Sequence, residues 1–200
     1  MTEEKNSMFW HRVKFLGLIG VFLAPFAGGW LALYVFEIKP ESKNYGTLIQ
    51  PVKKLEWPAI KSVDGTIYEG GFGRKWAFLL FSRGPCTKQC RSNLYYMRQI
   101  RTLLNRDMER LQNVLVTSAP VDADMAEFLK EYPDLLVIEN FHDESLISQF
   151  STGDNKQVGD DSRLYLVDPD QNYMMVYPAE NDEHRILEDI RKLMKLSQIG

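Results

Sequence analysis

Apolar and polar positions alternate in blocks along the chain, and the first apolar block is the longest. Residues 15–36 form an apolar run that contains no charged side chain. A helix rises about 1.5 Å per residue, so a run of this length crosses a hydrocarbon core about 30 Å thick. The pattern therefore predicts a transmembrane helix over 15–36, preceded by an N-terminal tail over 1–14.

A cleaved signal peptide is the alternative interpretation of this run. The apolar region of a signal peptide usually has only about 7–15 residues and ends at a cleavage site with small residues. Here the run continues beyond Ala24 and Ala27, which favours a retained anchor. Lys5, Arg12 and Lys14 precede the run. The positive-inside rule then favours a cytoplasmic tail and a large domain on the opposite side of the membrane.

The rest of the chain divides into a polar stretch and a domain with regular patterns. Residues 37–58 are polar, contain three prolines and show no periodicity, which is typical of a linker. The domain is predicted over 59–200. It begins with a hairpin signal, because Asp64-Gly65 stands between two short segments that suit strands.

Continuous apolar runs and helical periodicity alternate through this domain. Trp76 to Phe81 is an apolar run bounded by turn residues, which is typical of a buried strand in a parallel sheet. Apolar residues from Leu94 to Leu111 recur at spacings of three and four, which predicts one amphipathic helix of about twenty residues. Further strands are predicted over 114–117, 135–138, 163–167 and 173–177, and further helices over 122–132, 144–150 and 183–196. This order of strands and helices is typical of a thioredoxin-like, three-layer α/β domain.

Composition narrows the class of protein without identifying a function. An apolar content of 44% over 200 residues supports one globular domain with a sizeable core. The net charge of −3 provides no basic field for nucleic acid, so no nucleic-acid partner is expected. The candidate chemistry therefore has to come from individual side chains.

The only cysteines, Cys86 and Cys90, lie where the predicted strand gives way to the long helix. A separation of four residues puts both on one face of a helix, with Cα atoms about 6 Å apart. Two thiols at that distance can close a disulfide or bind one soft metal ion. The helix N-terminus and the nearby Arg83, Lys88 and Arg91 favour the thiolate form. A structural or vestigial pair is the alternative, although so short a loop would stabilise the fold little.

The membrane anchor, the order of elements and the spacing of the cysteines together resemble the SCO/SenC family. The similarity covers roughly residues 58–196 and is carried by Phe81-Ser82, by Cys86 and Cys90, and by the run 164–170. Members of that family assist copper delivery or thiol reduction during maturation of the copper centre of cytochrome c oxidase. The resemblance implies that the cysteines are redox thiols or Cu(I) ligands. It also implies that the client is a cytochrome c oxidase subunit or another assembly factor.

The chain departs from the pattern of that family at the site. The copper site of the family adds a histidine shortly before the strand that contains Tyr165, whereas residues 158–162 include no histidine. The family also usually has a proline after each cysteine, where this chain has Thr87 and Arg91. The resemblance therefore covers the two thiols but leaves the third ligand open.

Other side chains are candidates for that third ligand. His142 follows the predicted strand over 135–138 and is the candidate metal ligand beside the cysteines. His184 begins the last helix and His11 precedes the membrane span, so neither is expected to contribute. Asp160 and Asp161 are hard oxygen donors that suit Cu(I) poorly, and we expect them to be polar loop residues.

These observations support one leading hypothesis and two alternatives. The leading hypothesis is a single-pass protein of the bacterial inner membrane, with its C-terminal domain in the periplasm, that assists cytochrome c oxidase biogenesis. It would act through Cys86 and Cys90, either by holding Cu(I) transiently or by reducing the cysteines of a client. The first alternative is an enzyme, a tethered thiol–disulfide oxidoreductase. The second is a non-catalytic thioredoxin-like binding module that has lost the copper site.

Overall fold

The computed structural model of the protein contains two compact units. One unit ends at Lys43 and the other begins at Asn44. The structure describes the residues in the following ranges: 2–34, 44–139, 141–152, 158–178 and 182–197.

The described part of the first unit is one long helix, α1 (Thr2–Tyr34). Its stretch Trp10–Leu31 is long and apolar enough to cross a membrane, by length and composition. The side chains of this stretch are all exposed, and from residue 15 onward they form an apolar surface without charges, which is typical of a segment in lipid. The helix covers the predicted span over 15–36 except for residues 35 and 36, which lie outside the described residues.

The second unit contains eight strands and four helices among its described residues, with a 3-10 helix (Asn105–Arg110) after the first of those helices. The strands are β1 (Thr47–Lys54), β2 (Ile60–Lys61), β3 (Ile67–Tyr68), β4 (Trp76–Ser82), β5 (Leu111–Thr117), β6 (Leu135–Ile138), β7 (Asp160–Val167) and β8 (Asn172–Tyr177). The helices are α2 (Lys88–Leu103), α3 (Ala123–Leu129), α4 (Glu144–Gln149) and α5 (Glu183–Leu196).

Six strands form one sheet in the order β1-β8-β7-β4-β5-β6, and β2 pairs with β3 in a separate hairpin. Strands β4, β5 and β6 are parallel, whereas β7, β8 and β1 join the sheet by antiparallel pairing. Strand β4 is central, and its side chains alternate between two cores. One core contains residues of α2 and α5, and the other contains residues of α4. Both faces of β4 are therefore buried, and the predicted three-layer α/β arrangement is confirmed.

The predicted linker over 37–58 differs from the structure, because part of it belongs to the sheet. Residues 47–54 form β1, which pairs with β8 at the edge, and the second unit begins at Asn44 rather than at residue 59. Most side chains of β1 are exposed, and the strand contains Pro51. An exposed edge strand that tolerates proline lacks the apolar alternation by which strands are recognised. Residues 37–43 lie outside the described residues.

The long helix after the cysteines is shorter than its apolar pattern predicts. Helix α2 ends at Leu103, and the 3-10 helix follows it. Asn105 has a positive φ of 52°, which breaks the helical path. Leu111, the last residue of the periodic pattern, is the first residue of β5. The pattern continues across the break because a 3-10 turn also brings residues three apart onto one side.

A buried carboxylate of α5 holds the beginning of the second unit. Asp189 is 2% exposed, and its Oδ2 accepts hydrogen bonds from the backbone N–H groups of Tyr45 (2.8 Å) and Gly46 (3.0 Å). A Cβ on Gly46 would come within 2.6 Å of the ring of Tyr177, so glycine is required there. Burial raises the pKa of Tyr177 well above its usual value, and the negative charge of Asp189 adds to this effect.

We expect Tyr177→Phe to make the fold less sensitive to alkaline pH. An unfolded tyrosine ionises near about pH 10, whereas folded Tyr177 keeps its proton to higher pH. Its contribution to the stability is therefore complete below about pH 10 and is lost as the pH rises toward the folded pKa. Thermal melting across this range should show a steeper fall for the wild type than for Tyr177→Phe. The control is Tyr95→Phe, at a tyrosine 49% exposed, and equal slopes for Tyr177→Phe and wild type would contradict the prediction.

Candidate dithiol site

The end of β4 leads directly into the segment that carries the cysteines. The carbonyl oxygen of Gly84 accepts hydrogen bonds from Ser82 Oγ (3.0 Å) and Thr117 Oγ1 (3.2 Å). These hydroxyl groups belong to the carboxyl ends of β4 and β5. The two neighbouring strands therefore hold the turn that delivers Pro85 and Cys86 to the start of α2.

Cys86 and Cys90 are joined by a disulfide, with their Cα atoms 5.2 Å apart. This separation lies within the usual range for a disulfide, and it agrees with the proximity predicted from the spacing. Cys86 directly precedes Thr87, the N-cap of α2, and Cys90 lies in the first turn. The helix start thus brings the two sulfur atoms together, as the sequence predicts.

The two cysteines differ in exposure. Cys90 is fully buried in the core, at 0% exposed, whereas Cys86 is half-buried. Cys86 also lines a cavity of about 290 Å³ between the start of α2, the end of β5 and the start of α3. Solvent and other molecules can therefore approach the pair from the side of Cys86. The apolar side chains in the wall of this cavity are Pro85, Leu115, Ala119, Pro120, Val121 and Met125.

The positive charge near the pair is smaller than the sequence predicts. Arg83 forms an ion pair with Glu144 at 3.2 Å, and Arg91 forms one with Asp124. The guanidinium of Arg91 also lies over the ring of Phe128, 4.8 Å from its centroid. Carboxylate partners offset the field of both arginines, so the helix N-terminus and the exposed Lys88 are the remaining features that favour a thiolate.

Arg83 also ties the loop before β7 to the site. Its backbone N–H donates to the carbonyl oxygen of Gly159 at 2.9 Å, and its Nε donates to the carbonyl oxygen of Val158 at 2.8 Å. Gly159 has a φ of +96°, and a Cβ there would lie 2.6 Å from the Arg83 side chain. Glycine therefore allows this loop to approach the end of β4 closely.

Asp161, within the stretch 158–162 where the SCO/SenC pattern suggests a histidine, contacts the first turns of α2. Its Oδ2 accepts a hydrogen bond from Thr87 Oγ1 at 2.9 Å, and the same Oγ1 accepts one from the N–H of Cys90 at 3.2 Å. Its carbonyl oxygen accepts from Nδ2 of Asn93 at 2.6 Å. Asp161 is only 6% exposed, so the expectation of an ordinary polar loop residue is wrong. Asp160 is exposed, as expected, but it is the first residue of β7 and not a loop residue.

His142 lines a cavity other than the one that Cys86 lines. This second cavity has a volume of about 180 Å³, and Arg83 and Glu144 also line it. Within the described ranges, no group of three or more His, Cys, Asp or Glu residues is arranged to hold a metal ion. The role of His142 as a ligand stays a prediction, and His184 is an exposed residue of α5.

Comparison with known sequences identifies the family of the chain. A family model described as a transmembrane-like, thioredoxin-like, C-terminal domain matches residues 76–197. The chain belongs to this family. The match begins at β4 and ends after α5, so the thioredoxin-like domain contains both cysteines and Asp161. No curated protein sequence matches the chain.

Solved structures similar to this thioredoxin-like protein include several Sco proteins. Yeast Sco1 with copper bound is 19% identical, with a TM-score of 0.58 over 72% of this chain and 95% of that one. Arabidopsis thaliana ScoI with copper bound is 18% identical, with a TM-score of 0.56 over 76% and 99%. BsSco, a Sco-family cytochrome c oxidase assembly protein with an identified disulfide switch, is 14% identical, with a TM-score of 0.56 over 74% and 96%. These similarities confirm the predicted Sco-like fold.

The sequence predicts the cysteines of this thioredoxin-like site but not the side chains around them. Thr87 is recognisable as a helix N-cap, because threonine before a helical pattern is a common capping residue. Asn93 lies on the buried side of α2 and is 0% exposed. A buried amide in an apolar helical stripe is the signal that could have identified it. Asp161 has no comparable local signal, since its environment depends on α2.

Proposed function

We propose that this protein is a membrane-anchored accessory in cytochrome c oxidase biogenesis that exchanges disulfides with a client through Cys86 and Cys90. The observation that carries the proposal is the unequal exposure of the bonded pair. Cys86 is half-buried beside a cavity, and Cys90 is fully buried. Thiol–disulfide exchange needs one accessible attacking sulfur and one that attacks within the protein. The description of BsSco as an oxidase assembly protein with a disulfide switch supports the same assignment.

The proposed reaction starts from the reduced pair. The Cys86 thiolate attacks one sulfur of a client disulfide, so that the client S–S bond breaks and its second sulfur leaves as a thiolate. Cys90 then attacks Sγ of Cys86, which releases the first client sulfur and closes the Cys86–Cys90 disulfide. Two electrons pass from the pair to the client, and the two protons lost by Cys86 and Cys90 balance those gained by the client thiols. An external dithiol donor has to return two electrons to the pair.

The location that we propose follows from α1 and from the disulfide. Helix α1 contains the candidate membrane span Trp10–Leu31. Disulfides persist in oxidising compartments, such as the bacterial periplasm. We therefore place the anchor in the inner membrane of a bacterium and the thioredoxin-like domain in the periplasm. A cytochrome c oxidase subunit or another assembly factor would be the client.

Transient binding of Cu(I) as cargo is the second candidate function. The copper-bound structures of yeast Sco1 and Arabidopsis ScoI favour it. When reduced, Cys86 and Cys90 would provide two soft thiolates, which suit Cu(I). The described residues offer no complete set of three ligands, and the oxygen of Asp161 is a hard donor. The donor set of the described residues therefore fits disulfide exchange better than a closed copper site. For copper binding, His142 is the candidate third ligand.

A single preparation tests both functions. The full-length chain is purified in detergent, reduced, titrated with Cu(I) against a competing chelator, and equilibrated with a redox buffer. We expect a reversible couple more oxidising than about −300 mV, the usual upper bound for structural disulfides, without stoichiometric Cu(I) binding. Stoichiometric binding that is tighter than that of the chelator and is lost in Cys86→Ser and Cys90→Ser would instead support copper handling. His142→Ala tests the third ligand in the same titration.

The role in oxidase assembly needs a separate measurement. Cells that lack the protein are complemented with the wild type, with Cys86→Ser or with the double cysteine variant, and cytochrome c oxidase activity is measured. We expect the wild type alone to restore activity. Full activity with the double variant would reject both thiol functions and leave the non-catalytic binding module.

A further inference from the structure

The buried carboxylate of Asp161 has an environment that the fold alone does not explain. Its Oδ2 accepts one hydrogen bond from Thr87. Its Oδ1 is buried without a hydrogen-bond partner, and no ion pair to Asp161 exists within the described residues. Leaving a buried charged group partly unsatisfied is costly. Such a group in a native structure calls for a functional or structural reason.

The backbone at Asp161 is also unusual. Its φ is +59°, in the left-handed region that glycine, asparagine and aspartate adopt most readily. The carbonyl oxygen of the same residue is held by Asn93, which is fully buried on α2. Two contacts therefore fix this residue against the first turns of the helix that carries the disulfide. These contacts hold the carboxylate in a fixed position beside the start of α2.

The carboxylate is linked through a single hydroxyl group to the backbone of the buried cysteine, Cys90. One hydroxyl group, that of Thr87, bonds both to Asp161 Oδ2 and to the backbone N–H of Cys90. The side chain of the nearby Arg83 instead donates hydrogen bonds to the Glu144 carboxylate and to the carbonyl oxygen of Val158. A negative charge in this poorly screened position acts on the N-terminal turn of α2 and on Cys90.

We propose that Asp161 biases the Cys86–Cys90 couple toward the disulfide and thereby makes the reduced pair a stronger electron donor. This inference rests on the proposed exchange function. The disulfide carries no charge, whereas reduction creates thiols that ionise to thiolates. A buried like charge disfavours the thiolate, so Asp161 destabilises the reduced state and opposes the effect of the helix N-terminus. Asp161 is a positioning and electrostatic residue, since its contacts are with Thr87 and Asn93.

The test is the redox equilibrium of the full-length chain in detergent with glutathione. Two glutathione thiols reduce the Cys86–Cys90 disulfide and form one glutathione disulfide, so electrons and protons balance. Asp161→Asn removes the charge and keeps the shape and the tolerated φ. We expect it to shift the equilibrium about tenfold toward the dithiol, which corresponds to about 30 mV for a two-electron couple. Asp161→Gly also suits the positive φ and should shift it in the same direction.

The matched control is Asp160→Asn, which removes the neighbouring carboxylate. Asp160 is exposed, and its Oδ1 accepts from the N–H of Ser162 at 3.0 Å, so its charge is screened. We expect less than a twofold change for this variant. An Asp161→Asn equilibrium within twofold of the wild type, or shifted toward the disulfide, would overturn the inference. A wild-type pair that glutathione cannot reduce and reoxidise would reject the proposed function instead, so the two failures are distinguishable.

Discussion

Cys90→Ser should trap a glutathione adduct on Cys86, whereas Cys86→Ser should form no adduct while the protein is folded. Cys86 is half-buried beside a cavity, and Cys90 is 0% exposed. In Cys90→Ser, Cys86 can attack oxidised glutathione, but the second thiol that would resolve the mixed disulfide is missing. In Cys86→Ser the remaining thiol is shielded by the core. Intact-mass analysis of the full-length chain after incubation with oxidised glutathione measures both outcomes.

Denatured samples provide the control for this experiment. In denaturant both single variants should react fully, because each contains one thiol that unfolding exposes. A native Cys86→Ser protein that reacts as fast as native Cys90→Ser would contradict the asymmetry. It would also remove the observation on which the proposed function depends.

The parts of the fold that could be predicted from the sequence are those whose signal is local. Strand β4 is central, and both of its faces are buried, so its residues form a continuous apolar run. The hairpin of β2 and β3 follows from Asp64-Gly65, and Gly65 has the positive φ of 90° that such turns favour. In these cases the chemistry of neighbouring residues determines the element.

Strand β1 and the end of α2 could not be predicted in the same way. Strand β1 is held by its pairing with β8, and its own residues lack a core-facing pattern. At the end of α2, the apolar spacing that suits a helix also suits a 3-10 turn followed by a strand. The structure resolves this choice by pairing Leu111 with Trp76 of β4. Contacts distant in the sequence decide both elements.

The same distinction separates the predicted from the unpredicted part of the site. Cys86 and Cys90 are four residues apart, and the spacing alone brings them together. Thr87 and Asp161 are 74 residues apart in the sequence, so their hydrogen bond exists only once β7 lies beside β4. The sequence of residues 158–162 shows that this stretch contains no histidine. It does not show that a buried carboxylate contacts the helix that carries the disulfide.

Phe150→Ala should strongly destabilise the thioredoxin-like domain, because Phe150 contacts four other aromatic rings in the core opposite α2 and α5. Phe150 is 0% exposed and directly follows α4. Its ring centroid lies 4.8 Å from that of Phe81, 5.1 Å from Tyr173, 5.5 Å from Tyr165 and 5.9 Å from Trp57. Truncation removes the buried ring and leaves a cavity among the four neighbouring rings. Such substitutions cost about 3–5 kcal/mol in the free energy of unfolding.

The loss predicted for Phe150→Ala is large relative to the total stability of a domain, which is about 5–15 kcal/mol. Guanidinium denaturation of the full-length chain in detergent, followed by tryptophan fluorescence, measures it as a lower midpoint with an unchanged slope. Tyr95→Ala is the matched control, because that ring is 49% exposed on α2 and exposed substitutions usually change the stability by less than about 0.5 kcal/mol. Equal midpoints for the two variants would show that the aromatic cluster does not hold the sheet. Phe81 of β4 immediately precedes Ser82, whose hydroxyl group donates a hydrogen bond to the carbonyl oxygen of Gly84. We therefore expect Phe150→Ala also to slow re-formation of the Cys86–Cys90 disulfide from the reduced pair.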